Sequence, residues 1–85
     1  METPTYSGSL NPKELIDWAR DMENFFDMEQ IEYPKRVNMD CMKLKGHASL
    51  WWDTMQLERK RKGKDKIRNR ERMVAKLKGK FILAD

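Results

Sequence analysis

The sequence has almost none of the residues that build catalytic or metal sites. It holds one cysteine, Cys41, and one histidine, His47, among 85 residues. A lone cysteine excludes an internal disulfide and a thiolate metal cluster, and it agrees with a reducing compartment. The sequence also has no glycine-rich phosphate loop and no Asp-Thr-Gly or Asp-Ser-Gly protease motif. It therefore predicts a protein that is not an enzyme and that uses no metal or cofactor.

Long apolar runs are also absent. No stretch approaches the roughly 20 apolar residues that cross a bilayer. The first ten residues, METPTYSGSL, have neither the basic start nor the apolar segment of a secretory signal. We therefore expect a soluble protein of the cytoplasm without a membrane partner. The basic run 59–68 has the look of a nuclear-localisation patch, which makes the nucleus the alternative location.

The residues that are present suit one small helical domain. Hydrophobic residues make up 39% of the chain and charged residues 38%, a mixture typical of a small bundle with a heavily solvated surface. Three Trp, three Phe and two Tyr supply large side chains for a core, which argues against disorder.

Charge is distributed unevenly along the chain. Residues 1–57 hold 6 Lys and Arg against 10 Asp and Glu, whereas residues 58–85 hold 12 against 4. The first part therefore has a net charge of −4 and the second of +8, which together give the +4 of the chain. Such a molecule is suited to pack head to tail with its neighbours, or to place its basic end against nucleic acid.

The first helix is the clearest element in the sequence. Residues 1–10 read as an extended arm, because Pro4, Gly8 and the serines disfavour regular structure. Asn11 then provides an N-cap and Pro12 the first helical residue. Apolar residues at a helical period follow at Leu15, Trp18, Ala19, Met22, Phe25 and Phe26.

The centre of the chain predicts two further helices. Residues 27–33 form a connection, and Pro34 opens a helix whose inner face is Val37, Cys41 and Leu44. Gly46 lies where a C-terminal cap is expected. Beyond it, apolar residues continue at the same helical spacing with Trp51, Trp52 and Met55. One helix bent at Gly46 and two helices joined by a tight turn both fit this pattern; we prefer two helices.

A charged segment separates the third helix from the last. Residues 58–66, ERKRKGKDK, have no apolar side chain and read as a helix end followed by a loop. The spacing of Ile67, Met73, Val74, Leu77 and Phe81 predicts a last helix over about residues 67–81. The predicted fold is all-α: a compact bundle of four to five helices over residues 11–85, with an extended N-terminal arm over residues 1–10.

Several motifs occur in the order and at the spacing that a known family shows, and together they extend over nearly the whole chain. They are Tyr6-Ser7-Gly8; Asn11-Pro12 followed by a Trp and by Met22-Glu23-x-x-Phe26; Leu44-x-Gly46-x-Ala48-x-x-Trp51-Trp52; Arg59-x-x-x-Gly63; and Ile67 leading into Met73, Leu77 and Phe81. Together they resemble the Gag domain of gypsy-type long-terminal-repeat retrotransposons. The Leu-x-Gly-x-Ala-x-x-Trp-Trp run is the most specific of them.

The resemblance implies both a fold and a function. The fold is the N-terminal lobe of a retroviral-type capsid protein, and the function is self-association into a particle. Domesticated relatives such as the synaptic Arc protein imply an alternative, in which the lobe binds short Pro-x-aromatic peptides in a hydrophobic groove. A basic RNA-binding fragment is the second alternative. The sequence departs from the family at Arg70, where a Trp is usual, so this arginine must find an acid, reach solvent or destabilise the last helix.

Two groups of residues are candidates for partner binding. The groove and the arm that fills it are predicted to comprise seven residues, namely Pro4, Tyr6, Trp18, Phe26, Trp51, Trp52 and Phe81. For Pro4-Thr5-Tyr6 three arrangements stay open: a frayed terminus, docking in the chain's own groove, and docking in a neighbour's groove to give an arm-exchanged dimer. We prefer both tryptophans in the core, between the first and last helices; in the other reading one lines the groove.

The second group is basic and comprises Arg59, Lys60, Arg61, Lys62, Lys64, Lys66 and Arg68. These side chains can neutralise phosphates and so bind RNA weakly and without sequence preference. No aromatic residue is interleaved with them, so the bases of a nucleic acid would have no stacking platform. A solvated loop or an electrostatic contact to an acidic neighbour is the preferred interpretation.

Overall fold

The computed structural model describes residues 3–82, and these form a four-helix bundle. The helices are α1 (Pro12–Met28), α2 (Tyr33–Met42), α3 (Gly46–Arg61) and α4 (Arg70–Phe81). Within residues 3–82 the one strand-like feature is an isolated parallel bridge between Tyr6 and Leu44. The all-α prediction is therefore confirmed. The outer ends of the predicted arm and domain, residues 1–2 and 83–85, lie outside the described residues.

Helix α1 begins where its capping residues predict. The side chain of Asn11 accepts a hydrogen bond from the backbone N–H of Lys13 at 3.0 Å, and Pro12 is the first helical residue. The buried face is the apolar stripe of the sequence, and it comprises Leu15, Trp18, Ala19, Met22 and Phe26. Because this stripe covers one face only, α1 packs on the core and leaves its charged face in solvent.

The preference for two separate central helices is correct, but the role predicted for Gly46 is wrong. Gly46 is the first residue of α3 and has a φ of +51°, so it starts a helix rather than capping the one before it. Leu44 lies outside α2, because the chain leaves the helix after Met42 and bridges Tyr6. Leu44 is nevertheless 3% exposed, so its predicted burial holds without the helix.

The last helix begins at Arg70, three residues after its predicted start at about residue 67. The side chain of Asn69 accepts a hydrogen bond from the N–H of Arg72 at 3.1 Å, and this cap sets the start of α4 at Arg70. Ile67 precedes the helix and is 1% exposed, so it anchors the α3–α4 loop in the core.

The core gathers side chains from all four helices and from the arm. It comprises Tyr6, Leu15, Trp18, Ala19, Met22, Phe26, Val37, Leu44, Ala48, Trp52, Ile67, Met73 and Leu77. Helix α4 packs against both α1 and α2, and its inner residues Met73 and Leu77 are fully buried. No helix within residues 3–82 is long and apolar enough to span a membrane.

Candidate protein interaction site

The arm lies extended against the bundle, where Tyr6 forms an isolated bridge with Leu44. The N–H of Tyr6 donates to the carbonyl of Lys43 at 2.9 Å, and the N–H of Lys45 donates to the carbonyl of Tyr6 at 2.8 Å. The indole N–H of Trp18 donates to the carbonyl of Pro4 at 3.1 Å. Of the three arrangements left open by the sequence, the structure has the arm docked on its own chain.

Tyr6 is the side chain that anchors the arm. It is 3% exposed, and its ring centroid lies 5.9 Å from that of Trp18 and 5.6 Å from that of Phe81, the latter edge to face. Its hydroxyl donates to the carbonyl of Ser9 at 3.4 Å. Burial, and secondarily the negative charge of Glu14, raise the pKa of Tyr6, so the phenol stays neutral.

Gly8 allows the arm to approach the bundle closely. Its φ is +88°, a conformation that favours glycine. A Cβ at this position would lie 3.0 Å from Cε1 of Phe81 and 3.1 Å from the backbone nitrogen of Ala48. The arm therefore passes through a gap in which a larger residue would fit only if its neighbours moved by a few tenths of an ångström.

The structure brings five of the seven predicted groove residues together. Pro4, Tyr6, Trp18 and Phe81 meet around the arm, and Trp51 packs on Phe81 with centroids 5.7 Å apart. Trp51 is half-buried and lines an open hollow of about 310 Å³ with His47, Leu50, Thr54, Lys80 and Phe81. The expectation that both tryptophans are core holds only in part for Trp51, which packs partly buried against the core, since adjacent helical side chains point in different directions.

The other two predicted groove residues lie in the core. Trp52 is 3% exposed, as expected for a core tryptophan. Phe26 is fully buried, and the guanidinium of Arg70 lies 5.3 Å from its ring centroid. The structure therefore places Phe26 beside a buried charge rather than beside the arm.

Arg70 is accommodated by an acid that the sequence reasoning did not single out. Its Nε lies 2.6 Å from Oδ2 of Asp40, and its Nη2 donates to the carbonyl of Ala19 at 2.8 Å. One side chain thus ties α4 to α1 and α2. Asp40 could have been found, because it lies three residues after Val37 and four before Leu44, on the apolar stripe that the sequence predicts for the second helix.

Asp40 has an unusual environment for a carboxylate. It is 0% exposed, and its Oδ1 has no hydrogen-bond partner among the described residues. Burial raises the pKa of Asp40 to about 6, although the neighbouring charge of Arg70 acts in the opposite direction. The Asp40–Arg70 pair therefore specifies how three helices pack, although removing both charges from water costs free energy.

The predicted basic residues are exposed except for Arg59, which is half-buried. Its Nε donates to the carbonyl of Asp65 at 3.1 Å. The ion pairs within residues 3–82 are Lys35–Glu32, Arg36–Asp27 and Arg70–Asp40, so none of the seven basic residues pairs with a described carboxylate. Their charge is directed outwards and is available to a partner.

A bundle of four helices with an arm along its surface agrees with the capsid-type lobe that the resemblance implies. A family model described as "Retrotransposon-derived protein PEG10, N-terminal capsid-like domain" matches residues 1–82. The chain belongs to this family. The resemblance to retrotransposon Gag is thereby confirmed, and the chain is a Gag-derived, capsid-like domain with a structural role. Searches of curated proteins and of solved structures gave no significant match.

A PEG10-type capsid-like domain is a structural module rather than a catalytic one. Within residues 3–82 no group of His, Cys, Asp and Glu is placed to hold a metal ion. Burial raises the pKa of the Cys41 thiol, which disfavours the thiolate that a cysteine nucleophile requires. What this domain presents to other molecules is a docked arm, an aromatic hollow, the exposed basic residues and the charged face of α1.

Proposed function

We propose that this capsid-like domain associates with copies of itself and contributes a lobe to a Gag shell. The observation that supports this is the pair of oppositely charged surfaces on one small molecule. Helix α1 carries five carboxylates against two cations, and the end of α3 with the following loop carries the seven basic residues. Within residues 3–82 few of these charges are neutralised by ion pairs, so contacts between copies are favoured.

The test is the mass of the chain in solution across protein concentration and salt. Light scattering or sedimentation should show species larger than the monomer that grow with protein concentration. A chain that stays monomeric at every concentration would contradict self-association by this lobe.

A second candidate function is binding of short Pro-x-aromatic peptides. It is favoured by one observation, namely that the chain's own Pro4-Thr5-Tyr6 is seated on Trp18 and Phe81. In this proposal the arm occupies the groove until a partner peptide displaces it.

The peptide proposal is tested with the full chain carrying Tyr6→Ala, titrated with a labelled peptide of residues 2–10. The weakened arm should leave the groove open, so the variant should bind the peptide more tightly than the wild type does. Equal binding by the two proteins, together with unchanged stability of the variant, would contradict a groove that the arm fills.

A further inference from the structure

A hollow lies on the basic side of the molecule, where α3 ends and the chain turns towards α4. It has a volume of about 320 Å³ and is lined by Asp53, Gln56, Leu57, Lys60, Lys64 and Lys66. The first four of these recur at helical spacing and so form one face of α3. Leu57 is 50% exposed, so the hollow offers apolar surface as well as positive charge.

The loop that completes this hollow is held in place by hydrogen bonds. The side chain of Gln56 accepts from the N–H of Ile67 at 3.3 Å and donates to its carbonyl at 3.4 Å. The N–H of Lys64 donates to the carbonyl of Arg59 at 2.9 Å. Because hydrogen bonds hold the backbone at Lys64 and at Ile67, the loop that carries Lys64 and Lys66 is ordered before a partner binds, which lowers the entropy that the backbone loses on binding.

The complementary surface lies on the exposed side of α1. Glu14, Asp17 and Asp21 follow one another at steps of three and four residues, so they form a line along the helix. All three are exposed, and none of them pairs with a cation within residues 3–82. Met28 follows seven residues after Asp21 on the same face and is 66% exposed.

We propose that the acidic line of α1 on one copy docks against the lysine-rimmed hollow of a second copy. Three carboxylates then meet three lysines, and Met28 brings an apolar side chain towards the exposed Leu57. This inference rests on the proposed self-association and names the two surfaces that carry it. Charge complementarity directs such an encounter and sets its orientation.

A protein partner fits the hollow better than RNA does. The wall includes a leucine and the carboxylate of Asp53, and none of the six lining residues is aromatic. A single strand of nucleic acid gains much of its affinity from bases stacked on aromatic rings. An aliphatic side chain flanked by carboxylates matches both the apolar and the charged parts of the wall.

The proposed contact is heterologous, because the acidic line and the hollow are different surfaces. Each copy therefore donates one surface and accepts with the other, and association continues beyond a dimer as a ring or a chain. This property distinguishes the contact from a two-fold dimer and provides its test.

The test uses two variants of the full chain that each neutralise one surface. Asp17→Asn/Asp21→Asn removes charge from the acidic line, and Lys60→Gln/Lys64→Gln removes it from the hollow. Each variant alone should associate about two- to thirtyfold more weakly than the wild type, since two exposed charge pairs are lost. Mixed together, they should form a one-to-one dimer and nothing larger, because one intact acidic line meets one intact hollow.

A matched control removes an equal amount of positive charge from a different surface. Lys76→Gln/Lys78→Gln lowers the net charge by the same amount on exposed positions of α4, and it should associate like the wild type. Circular dichroism of each variant checks whether the helical fold is kept.

The outcomes separate this inference from the proposed function. If the wild type associates and the two surface variants associate equally well, the inference is overturned and self-association stands. If the hollow variant loses binding to a polyuridine probe while its self-association is unchanged, the hollow binds RNA and the inference is again overturned. A wild type that is monomeric at every concentration overturns both.

Discussion

At the scale of single residues, the buried pair of Asp40 and Arg70 is the least ordinary feature of this domain. A buried ion pair loses the hydration of both charges, and the attraction between them seldom exceeds this cost. Removing only one partner destabilises the fold strongly, because an uncompensated charge is then left in the core. Arg70 also contacts Phe26 and the carbonyl of Ala19, so it has structural roles besides neutralising Asp40.

Replacing Arg70 by methionine should therefore destabilise the domain strongly at neutral pH. We expect a loss of about 3–5 kcal/mol in the free energy of unfolding, the range found when one member of a buried pair is removed. The measurement is urea denaturation followed by tryptophan fluorescence. Adding Asp40→Asn to the Arg70→Met chain should restore part of the loss, and a double variant no more stable than Arg70→Met alone would contradict the pairing.

The pH dependence of stability should carry the signature of Asp40. Its pKa is raised from 3.8 to about 6 in the folded state, so between these values the folded chain keeps a proton that the unfolded chain has released. The free energy of unfolding should therefore fall by up to about 3 kcal/mol as the pH rises through this window. Above the window Asp40 should cause no further change. Thermal denaturation across this pH range measures the effect.

The matched variant for this pH effect is Asp40→Asn, which cannot ionise at this position. Its stability should lack the fall that the wild type shows between the two pKa values. An identical pH profile for the two proteins would show that Asp40 is not the group responsible.

At the scale of elements, the arm behaves as a fifth packing element of the bundle. Its backbone bonds to both sides of Leu44 and its Tyr6 joins the core, so the arm contributes to stability even though it has no regular secondary structure. The same bonds would form between two chains if the arm crossed to a neighbour, which is how an arm-exchanged dimer would arise.

Gly8→Ala should loosen the arm. The substitution strains a backbone with a φ of +88° and brings a Cβ to 3.0 Å from Phe81, and together these should lower the free energy of unfolding by about 2–3 kcal/mol. The matched control is Gly63→Ala, whose φ is +75° but whose Cβ would meet no neighbour within 4 Å. In thermal denaturation the Tm of Gly8→Ala should be well below that of Gly63→Ala. Equal losses of Tm would show that the contact with Phe81 is unimportant.

At the scale of the whole molecule, the uneven charge has consequences for the monomer as well as for its assembly. Residues 59–72 hold nine basic and two acidic side chains, and only Arg70 among the basic ones pairs with a described carboxylate. Like charges this close repel one another and oppose folding of this end of the bundle, while the same charges attract an acidic neighbour.

Salt should therefore move folding and association in opposite directions. Raising sodium chloride from about 0.05 M to about 0.5 M shortens the screening length severalfold, which should raise Tm by about 2–4 °C while it weakens association. Differential scanning calorimetry at low protein concentration measures the first effect and light scattering the second. A Tm that falls with salt would contradict the repulsion between the basic residues.

The sequence by itself determined the helices and the family. The period of Leu15, Trp18, Met22 and Phe26 and the caps at Asn11 and Pro12 act over a few residues, so α1 was predictable from local pattern alone. The motif spacing likewise identified a capsid-type Gag domain. The helix boundary at Gly46 was less predictable, because it is decided by a partner distant in the chain, Tyr6 bridging Leu44. The start of α4 is set by the local cap at Asn69, whereas the place of Ile67 in the loop depends on its hydrogen bonds with the distant Gln56.

Only the tertiary structure decided which side chains meet. The docking of Tyr6, the pairing of Arg70 with Asp40 and the hollow around Leu57 each join residues separated by many positions, and no local period encodes such contacts. Arg70 shows the reason most clearly. An arginine on an apolar stripe signals a conflict in the sequence, but whether it reaches solvent or an acid depends on how α2 and α4 pack, and that geometry exists only once the chain has folded.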